Sequence, residues 1–120
     1  MELNDYQKRA MKTCMPSCHN GSYMLLNLVG EVGEFAGKIA KGIRKKDISI
    51  GVVYGNIMTF SHNKDAQFEE LKKEAGDILW QLSGLCYVLG WNLEDIAQMN
   101  LDKLASRKER GVIDGDGDNR

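Results

Sequence analysis

Two long stretches of the chain repeat apolar side chains every three to four residues, and this constrains the fold more than any other feature. One runs from about residue 22 to 43 and the other from about 64 to 89. This spacing matches the turn of an α-helix and predicts two long amphipathic helices. Shorter helices are predicted over about 5–13, capped by Asn4 and Gln7, and over 93–110. The pattern indicates the all-α class: a helical bundle of four main helices in one domain over 1–120, with 111–120 as a tail.

Residues 44–63 interrupt the helical pattern. Residues 48–60 are apolar, β-branched and interrupted by glycines. This composition does not favour a core helix and leaves open a hairpin or a loop over the site. The helix after it is apolar on two flanks, so we expect it to be deeply buried. Gly30, Gly33 and Gly37 in the preceding helix are expected to let another backbone approach closely.

Acidic pairs lie inside both long helices, as Glu31-Val-Gly-Glu34 and Glu74-Ala-Gly-Asp77. Residues three apart on a helix are neighbours, roughly 5–6 Å apart at Cβ, so each pair places two carboxylates side by side. Solvated surface charge is the simpler alternative, but the pattern recurs in two helices, each time beside a glycine. Facing pairs would repel one another unless cations lay between them. Carboxylates without His or Cys suit hard cations, so the sequence predicts Mg²⁺, with Mn²⁺ as a substitute, at all four acids.

Such a site favours phosphate chemistry. Carboxylates can hold two cations about 3.5–4 Å apart, which orient a phosphate ester and lower the pKa of bound water. An acid at the rim, Glu34 or Glu70, would accept the proton of that water. The predicted catalytic residues are Glu34 at the rim and Glu74 among the metal ligands.

Basic and amide side chains would complete a phosphate site. Lys38, Lys103 and Arg107 are predicted to hold phosphates, and Asn100 to orient a phosphate or a sugar hydroxyl. Lys38 has a simpler alternative as the ion-pair partner of Glu34, four residues earlier.

Two further candidates have equally simple alternatives. Trp80 is predicted to stack on a nucleobase, with core or interface packing as the alternative. The glycine- and aspartate-rich tail is either flexible or a flap that brings Arg120 to the substrate.

Other metal sites are disfavoured. Cys14, Cys18 and His19 lack a fourth zinc ligand, and His62 is the only other histidine. Asp114, Asp116 and Asp118 imitate the start of a calcium loop, but the closing Glu is missing.

Composition limits the partners. The net charge of −1 gives no basic field for nucleic acid. No apolar run reaches the roughly 18 residues of a membrane span, and the N-terminal residues have no signal-peptide character. Three cysteines at irregular spacing suggest a reducing compartment and a cytoplasmic location.

The order and spacing of these motifs resemble MazG-like nucleotide pyrophosphohydrolases, which belong to the all-α NTP pyrophosphatase group with the dimeric dUTPases and phosphoribosyl-ATP pyrophosphohydrolase. The resemblance covers about residues 22–110 and is carried by the two acidic motifs, by Ile78-Leu79-Trp80, and by Asn100-Leu101-x-Lys103-Leu104 with Arg107. The ending Gly117-Asp118-Asn119-Arg120 is also similar to that of short stand-alone members.

The resemblance implies a Mg²⁺-dependent enzyme that cuts a nucleoside triphosphate to a monophosphate and pyrophosphate, with a role in nucleotide-pool house-cleaning among those open to it. It implies metal ligation by Glu31, Glu34, Glu74 and Asp77, and phosphate contacts from the basic residues of the last helix. It also implies a bundle completed by homo-oligomerisation, as a homodimer or homotetramer. The variable segment 48–60 borders the expected base pocket, so the base is not assigned.

Two alternatives remain. One is a non-catalytic helical module that binds nucleotides or proteins. The other, a ferritin-like di-iron protein, needs Glu-x-x-His motifs that neither acidic pair provides.

Overall fold

The computed structural model describes the backbone of residues 1–53, 56–62 and 65–120, and the side chains of residues 1–48 and 68–120. The elements are helix α1 (Leu3–Met11), a short 3₁₀ helix (Pro16–Cys18), α2 (Gly21–Arg44), strands β1 (Ile48–Val53) and β2 (Asn56–His62), α3 (Asp65–Val88) and α4 (Leu93–Glu109). These four helices confirm the predicted all-α class. The predicted start of the third helix, at residue 64, lies outside the described residues.

The segment between the long helices forms an antiparallel hairpin. Ile48 pairs with His62 and Gly51 with Thr59, and the register shifts after Gly51. The hairpin is thus the correct one of the two alternatives for this segment. It is anchored at its base, where a Cβ on Gly42 would lie 2.5 Å from Cδ1 of the buried Ile48. Only glycine permits this approach of β1 to the last turn of α2.

Helices α2 and α3 run antiparallel, because Lys38 contacts Glu74 at one end of the pair and Asn27 contacts Gln81 at the other. The helices come close at Gly84, where a Cβ would lie 2.6 Å from Sδ of Met24. The core among the described residues is small and half polar. Its buried members are Met24, Ile48, Leu71, Cys86 and Leu93 together with Gln7, Glu74, Gln81, Ser83 and Arg107.

Helix α1 caps α4 rather than itself. The predicted cap residue Asn4 lies inside α1, which begins at Leu3. Its Oδ1 accepts a hydrogen bond from the backbone N–H of Glu94 at 3.1 Å, and Oε1 of Gln7 accepts one from Leu93 N–H at 3.3 Å. These amides belong to the first turn of α4, which has no partners for them within the helix. The capping-box prediction for α1 was therefore wrong.

The expected deep burial of the third helix is not found within one chain. Leu79 and Leu82 on α3 are exposed, as are Leu25, Val29 and Val32 on α2. The apolar period marks a face that avoids water, but nothing in the described part of one chain covers this flank. Within the described part of one chain, a Cβ on Gly33 or Gly37 would meet no atom within 4 Å, so the close approach expected at the α2 glycines stays a prediction.

Within the part of the chain that the structure describes, no helix combines the length and the apolarity that crossing a membrane requires.

Candidate metal and phosphate site

Carboxylates from α2 and α3 meet where the two helices face one another. Among the described residues, one group of at least three possible metal ligands occurs: Glu31, Glu74 and Asp77, with ligand oxygens within 4.8 Å of one another. Glu34, the fourth predicted ligand, is exposed and lies outside this group. Both acidic motifs therefore contribute, and Glu34 lies at the rim.

Each of the two more buried acids has one oxygen engaged and one open. Oε1 of Glu31 accepts a hydrogen bond from Nδ2 of Asn27 at 3.4 Å, and Oε1 of Glu74 accepts one from Nζ of Lys38. Oε2 of both residues is buried without a hydrogen-bond partner. A buried carboxylate oxygen without a partner is costly, so two of them beside Asp77 indicate a place for a cation.

The electrostatics of the cluster agree with this geometry. Burial raises the pKa of Glu31 above its ordinary value, and the charges of Glu34, Asp77 and Glu74 raise it further. The hydrogen bond to Glu74 raises the pKa of Lys38, so this amine stays charged beside the acids. A bound cation would act on Glu31 in the opposite direction, because a nearby positive charge favours the ionised carboxylate.

Lys38 pairs across the helices and not along its own helix. The alternative of an ion pair with Glu34 is replaced by one with Glu74. Lys38 remains 44% exposed, whereas Glu74 is 11% exposed, so the ammonium group reaches the buried acid from the solvent side. Lys38 therefore presents a positive charge on the solvent-exposed side of Glu74.

Two amide residues support the acids and were not assigned as site residues from the sequence. Nδ2 of Asn27 donates to Oε1 of Gln81 at 2.7 Å, and Nε2 of Gln81 donates to the backbone oxygen of Met24 at 3.4 Å. Asn27 is four residues before Glu31, a spacing at which side chains on a helix meet, and that signal could have found it. Gln81 lies one turn beyond Asp77 on the same face of its helix.

Trp80 links α1 to α3. Its indole N–H donates to the backbone oxygen of Ala10 at 3.2 Å and to Oγ1 of Thr13 at 3.0 Å. These contacts favour the packing alternative, and base stacking by Trp80 stays a prediction.

The predicted basic residues contact the tail of their own chain. Arg107 is only 5% exposed, and its guanidinium donates to Oδ1 of Asp118 at 3.1 Å. Nζ of Lys103 lies 3.5 Å from the same oxygen. These contacts hold the pKa of Asp118 below its ordinary value, the Arg107 hydrogen bond first. Nε of Arg107 is buried without a partner.

Arg120 folds the tail onto this end of α4. Its guanidinium donates to the backbone oxygens of Val112, Ile113 and Gly117. The tail is thus a built loop, which we call the strap (residues 111–120), and Arg120 is engaged within it. Asn100 is exposed on α4. No contact joins Asn100, Lys103, Arg107 or Arg120 to the three clustered acids among those the structure describes.

The alternative metal sites find no support in the described side chains. Cys14, Cys18 and His19 do not form a group of three ligands, nor do Asp114, Asp116 and Asp118. The side chain of His62 lies outside the described residues.

The fold and the acids define a class: all-α proteins in which two antiparallel helices gather carboxylates suited to a hard cation. The sequence pattern of the MazG nucleotide pyrophosphohydrolase domain matches residues 20–112. The chain belongs to the MazG nucleotide pyrophosphohydrolase family. It is 43% identical over 127 aligned positions to the Gene 37 protein of Mycobacterium phage L5, with the whole of both chains covered. No solved structure matched the chain.

The matched range begins at α2 and ends after α4. It includes the acids, the amide pair and the basic residues of α4. It leaves out α1 and most of the strap, so the capping of α4 by Asn4 and Gln7 lies outside the family match.

Proposed function

We propose that the chain is a Mg²⁺-dependent nucleoside triphosphate pyrophosphohydrolase that yields a nucleoside monophosphate and pyrophosphate. One observation carries the proposal: Oε2 of Glu31 and Oε2 of Glu74 are buried without partners in a cluster with Asp77. An all-oxygen set suits Mg²⁺ or Mn²⁺, whereas zinc and copper sites favour imidazole and thiolate ligands. The family match supports the reaction class.

The proposed role of each site residue follows from its position. Glu31, Glu74 and Asp77 would hold the cation, with Glu34 reaching it from the rim or accepting the proton of the attacking water. When bound, the cation would neutralise phosphate oxygens and lower the pKa of its water. Lys38 would contact a phosphate oxygen from the solvent side, next to the Glu74 carboxylate that it already contacts.

An apolar groove beside the acids offers a place for the nucleobase. It has a volume of about 640 Å³, and its lining includes Phe35, Ile39, Phe68, Leu71 and Ala75. Phe35 lies four residues after Glu31 and Leu71 three residues before Glu74, spacings at which side chains on a helix are neighbours. A base in the groove would therefore lie within one helical turn of phosphates at the acids. Aromatic and aliphatic walls are typical of such pockets, and we propose this groove over Trp80 as the base-binding surface.

Self-association would cover the exposed apolar flank. The flank includes Leu25, Val29, Val32, Leu79 and Leu82, which are 42–72% exposed together with Leu26. The radius of gyration is 17.6 Å, against about 14 Å for a compact domain of this length. A second copy of the chain matches this flank in chemistry, and we propose a homodimer or homotetramer. Val32→Asp should shift the mass measured by light scattering toward the monomer; an unchanged mass would count against this interface.

A screen for pyrophosphate release tests the function. Canonical and modified NTPs and dNTPs are incubated with the protein, with Mg²⁺ or with EDTA. We expect release from at least one nucleotide, and only with the cation. Thermal stabilisation by a nucleotide without pyrophosphate from any of them would instead favour the non-catalytic module.

A cytoplasmic location stays a prediction from the cysteines.

A further inference from the structure

A chain of amide groups runs from the backbone of α2, through α3, to the Glu31 carboxylate. The backbone oxygen of Met24 accepts from Gln81, Oε1 of Gln81 accepts from Asn27, and Nδ2 of Asn27 also donates to Glu31. Gln81 is 3% exposed, so water has no access to its amide group and cannot replace its hydrogen bonds to Met24 and Asn27.

The backbone oxygen of Met24 sets the donor-to-acceptor direction of this series of hydrogen bonds. A backbone oxygen only accepts, so Gln81 must turn its NH₂ toward Met24 and its oxygen toward Asn27. Asn27 must then present its NH₂, which has two hydrogens and serves both Gln81 and Glu31. Reversing either amide would place two acceptors in contact in a buried setting, which costs free energy.

The consequence for Glu31 concerns which of its oxygens is open. Because Asn27 engages Oε1, the rotation of the carboxylate is restrained, and the buried Oε2 is the oxygen left without a hydrogen-bond partner. We propose that Asn27, oriented by Gln81, is a positioning residue that aims Oε2 of Glu31 at the cation. The inference rests on the proposed metal-dependent function.

Binding of Mn²⁺ in the absence of nucleotide measures this positioning directly. We expect Asn27→Ala to weaken Mn²⁺ binding about tenfold, within the range seen when residues that orient metal ligands are removed. The matched control is Asn119→Ala in the exposed part of the strap, which should bind Mn²⁺ like the wild type. Equal Mn²⁺ affinity in Asn27→Ala and wild type would overturn the proposal.

A double-mutant cycle separates orientation from simple packing. Gln81→Leu should weaken Mn²⁺ binding less than Asn27→Ala does, by about threefold, because it removes the anchor and leaves the donor. The double variant should bind like Asn27→Ala alone, since Gln81 acts only through Asn27. A loss in the double variant equal to the product of the single losses would show independent effects and overturn the inference.

Thermal unfolding distinguishes positioning from a merely structural role. A structural role would lower the midpoint equally with EDTA and with Mn²⁺, whereas positioning predicts that the gain on adding Mn²⁺ shrinks. An undiminished gain in Asn27→Ala counts against the proposal. If this variant does not fold, Asn27→Ser, whose donor is too short to bridge Gln81 and Glu31, takes its place with the same expected loss.

The outcomes separate this inference from the proposed function. Mn²⁺ binding by the wild type, weakened in Asn27→Ala, supports the inference even if no nucleotide is hydrolysed, and that second result would count against the function alone. Wild-type protein that does not bind Mn²⁺ or Mg²⁺ would overturn both.

Discussion

The acids between α2 and α3 present open oxygens, whereas the basic side chains at the end of α4 face a carboxylate of their own chain. Oε2 of Glu31 and Oε2 of Glu74 are buried without partners, but Arg107 and Lys103 share Asp118. Both regions carry charge that a nucleotide and its cation would complement. The acidic region thus has buried oxygens where a cation would fit, whereas the basic region is already paired with an anion of its own chain.

The two regions also differ in how they are held. The acids lie on long antiparallel helices tied together by Asn27 and Lys38. The basic residues lie on a helix that the chain supports mainly at its first turn, through Asn4 and Gln7, and that the strap covers at its last. A site on packed helices keeps its geometry better than one closed by a loop.

The largest expected effect is on the acidic region. Glu74→Gln should reduce pyrophosphate release at least about 100-fold, because metal assistance contributes several kcal/mol to such reactions. The fold should be kept, since relief from the repulsion of Glu31 and Asp77 offsets the loss of the Lys38 pair. Steady-state kinetics with a thermal melt checks both, and Asp102→Asn on α4 is the control for loss of an exposed acid. Turnover close to wild type in Glu74→Gln would show that these acids are not the reaction site.

The second effect concerns the basic region. Arg107→Met should raise KM for the nucleotide about tenfold, because a charge-assisted hydrogen bond contributes about 1.5–3 kcal/mol. The melting temperature should change little, because the Asp118 carboxylate that loses its partner is 86% exposed and stays solvated. Lys108→Met, an exposed neighbour, is the control. If KM stays at its wild-type value while the strap loosens, Arg107 serves only the tail.

Lys38 gives a smaller effect with opposite signs for two ligands. Lys38→Met removes the cation that Glu74 contacts, so the acids should bind Mn²⁺ a few-fold more tightly. The nucleotide should bind a few-fold more weakly, because a phosphate contact is lost. Titrations with each ligand measure the two affinities, and Lys41→Met, one turn closer to the end of α2, is the control. A change of the same sign for both ligands would contradict the position given to Lys38.

The sequence predicts the acidic and basic regions only in part, because periodicity reports on neighbours along one helix and not on residues far apart in the sequence. Helical period places the acids on one face of each helix, and it correctly gives the all-α class. The i to i+4 spacing suggested Glu34 as the partner of Lys38. The partner is Glu74, which lies 36 residues away, because the hairpin reverses the chain and brings α3 beside α2. The pairing of Arg107 with Asp118 depends on strap geometry, for which no periodic signal exists.

Burial was the least predictable property. The period identifies the apolar flank of α2 and α3 correctly, but it does not say whether the same chain or a second copy covers it. Leu79 and Leu82 are therefore on the predicted face and still exposed. Likewise, Asn4 and Gln7 show cap chemistry in the sequence, and only the tertiary structure reveals that the capped helix is α4.

The smallest effect tests whether Asp118 acts as the internal anion. Asp118→Asn keeps the shape of the side chain and removes its charge. The strap should then compete less with added pyrophosphate, which should bind about two- to fivefold more tightly. Asp116→Asn, an exposed acid of the same loop, is the control.

Because Arg107 and Lys103 lower the pKa of Asp118 from 3.8, its pairing is complete at neutral pH and is lost only as the pH falls through that lowered value. Hydrogen exchange of residues 111–120 should therefore be constant between pH 6 and 8, once corrected for intrinsic rates, and faster in Asp118→Asn. Equal exchange and equal pyrophosphate affinity in the two aspartate variants would mean that the strap does not compete with an anion, and the basic region would then be as open as the acidic one.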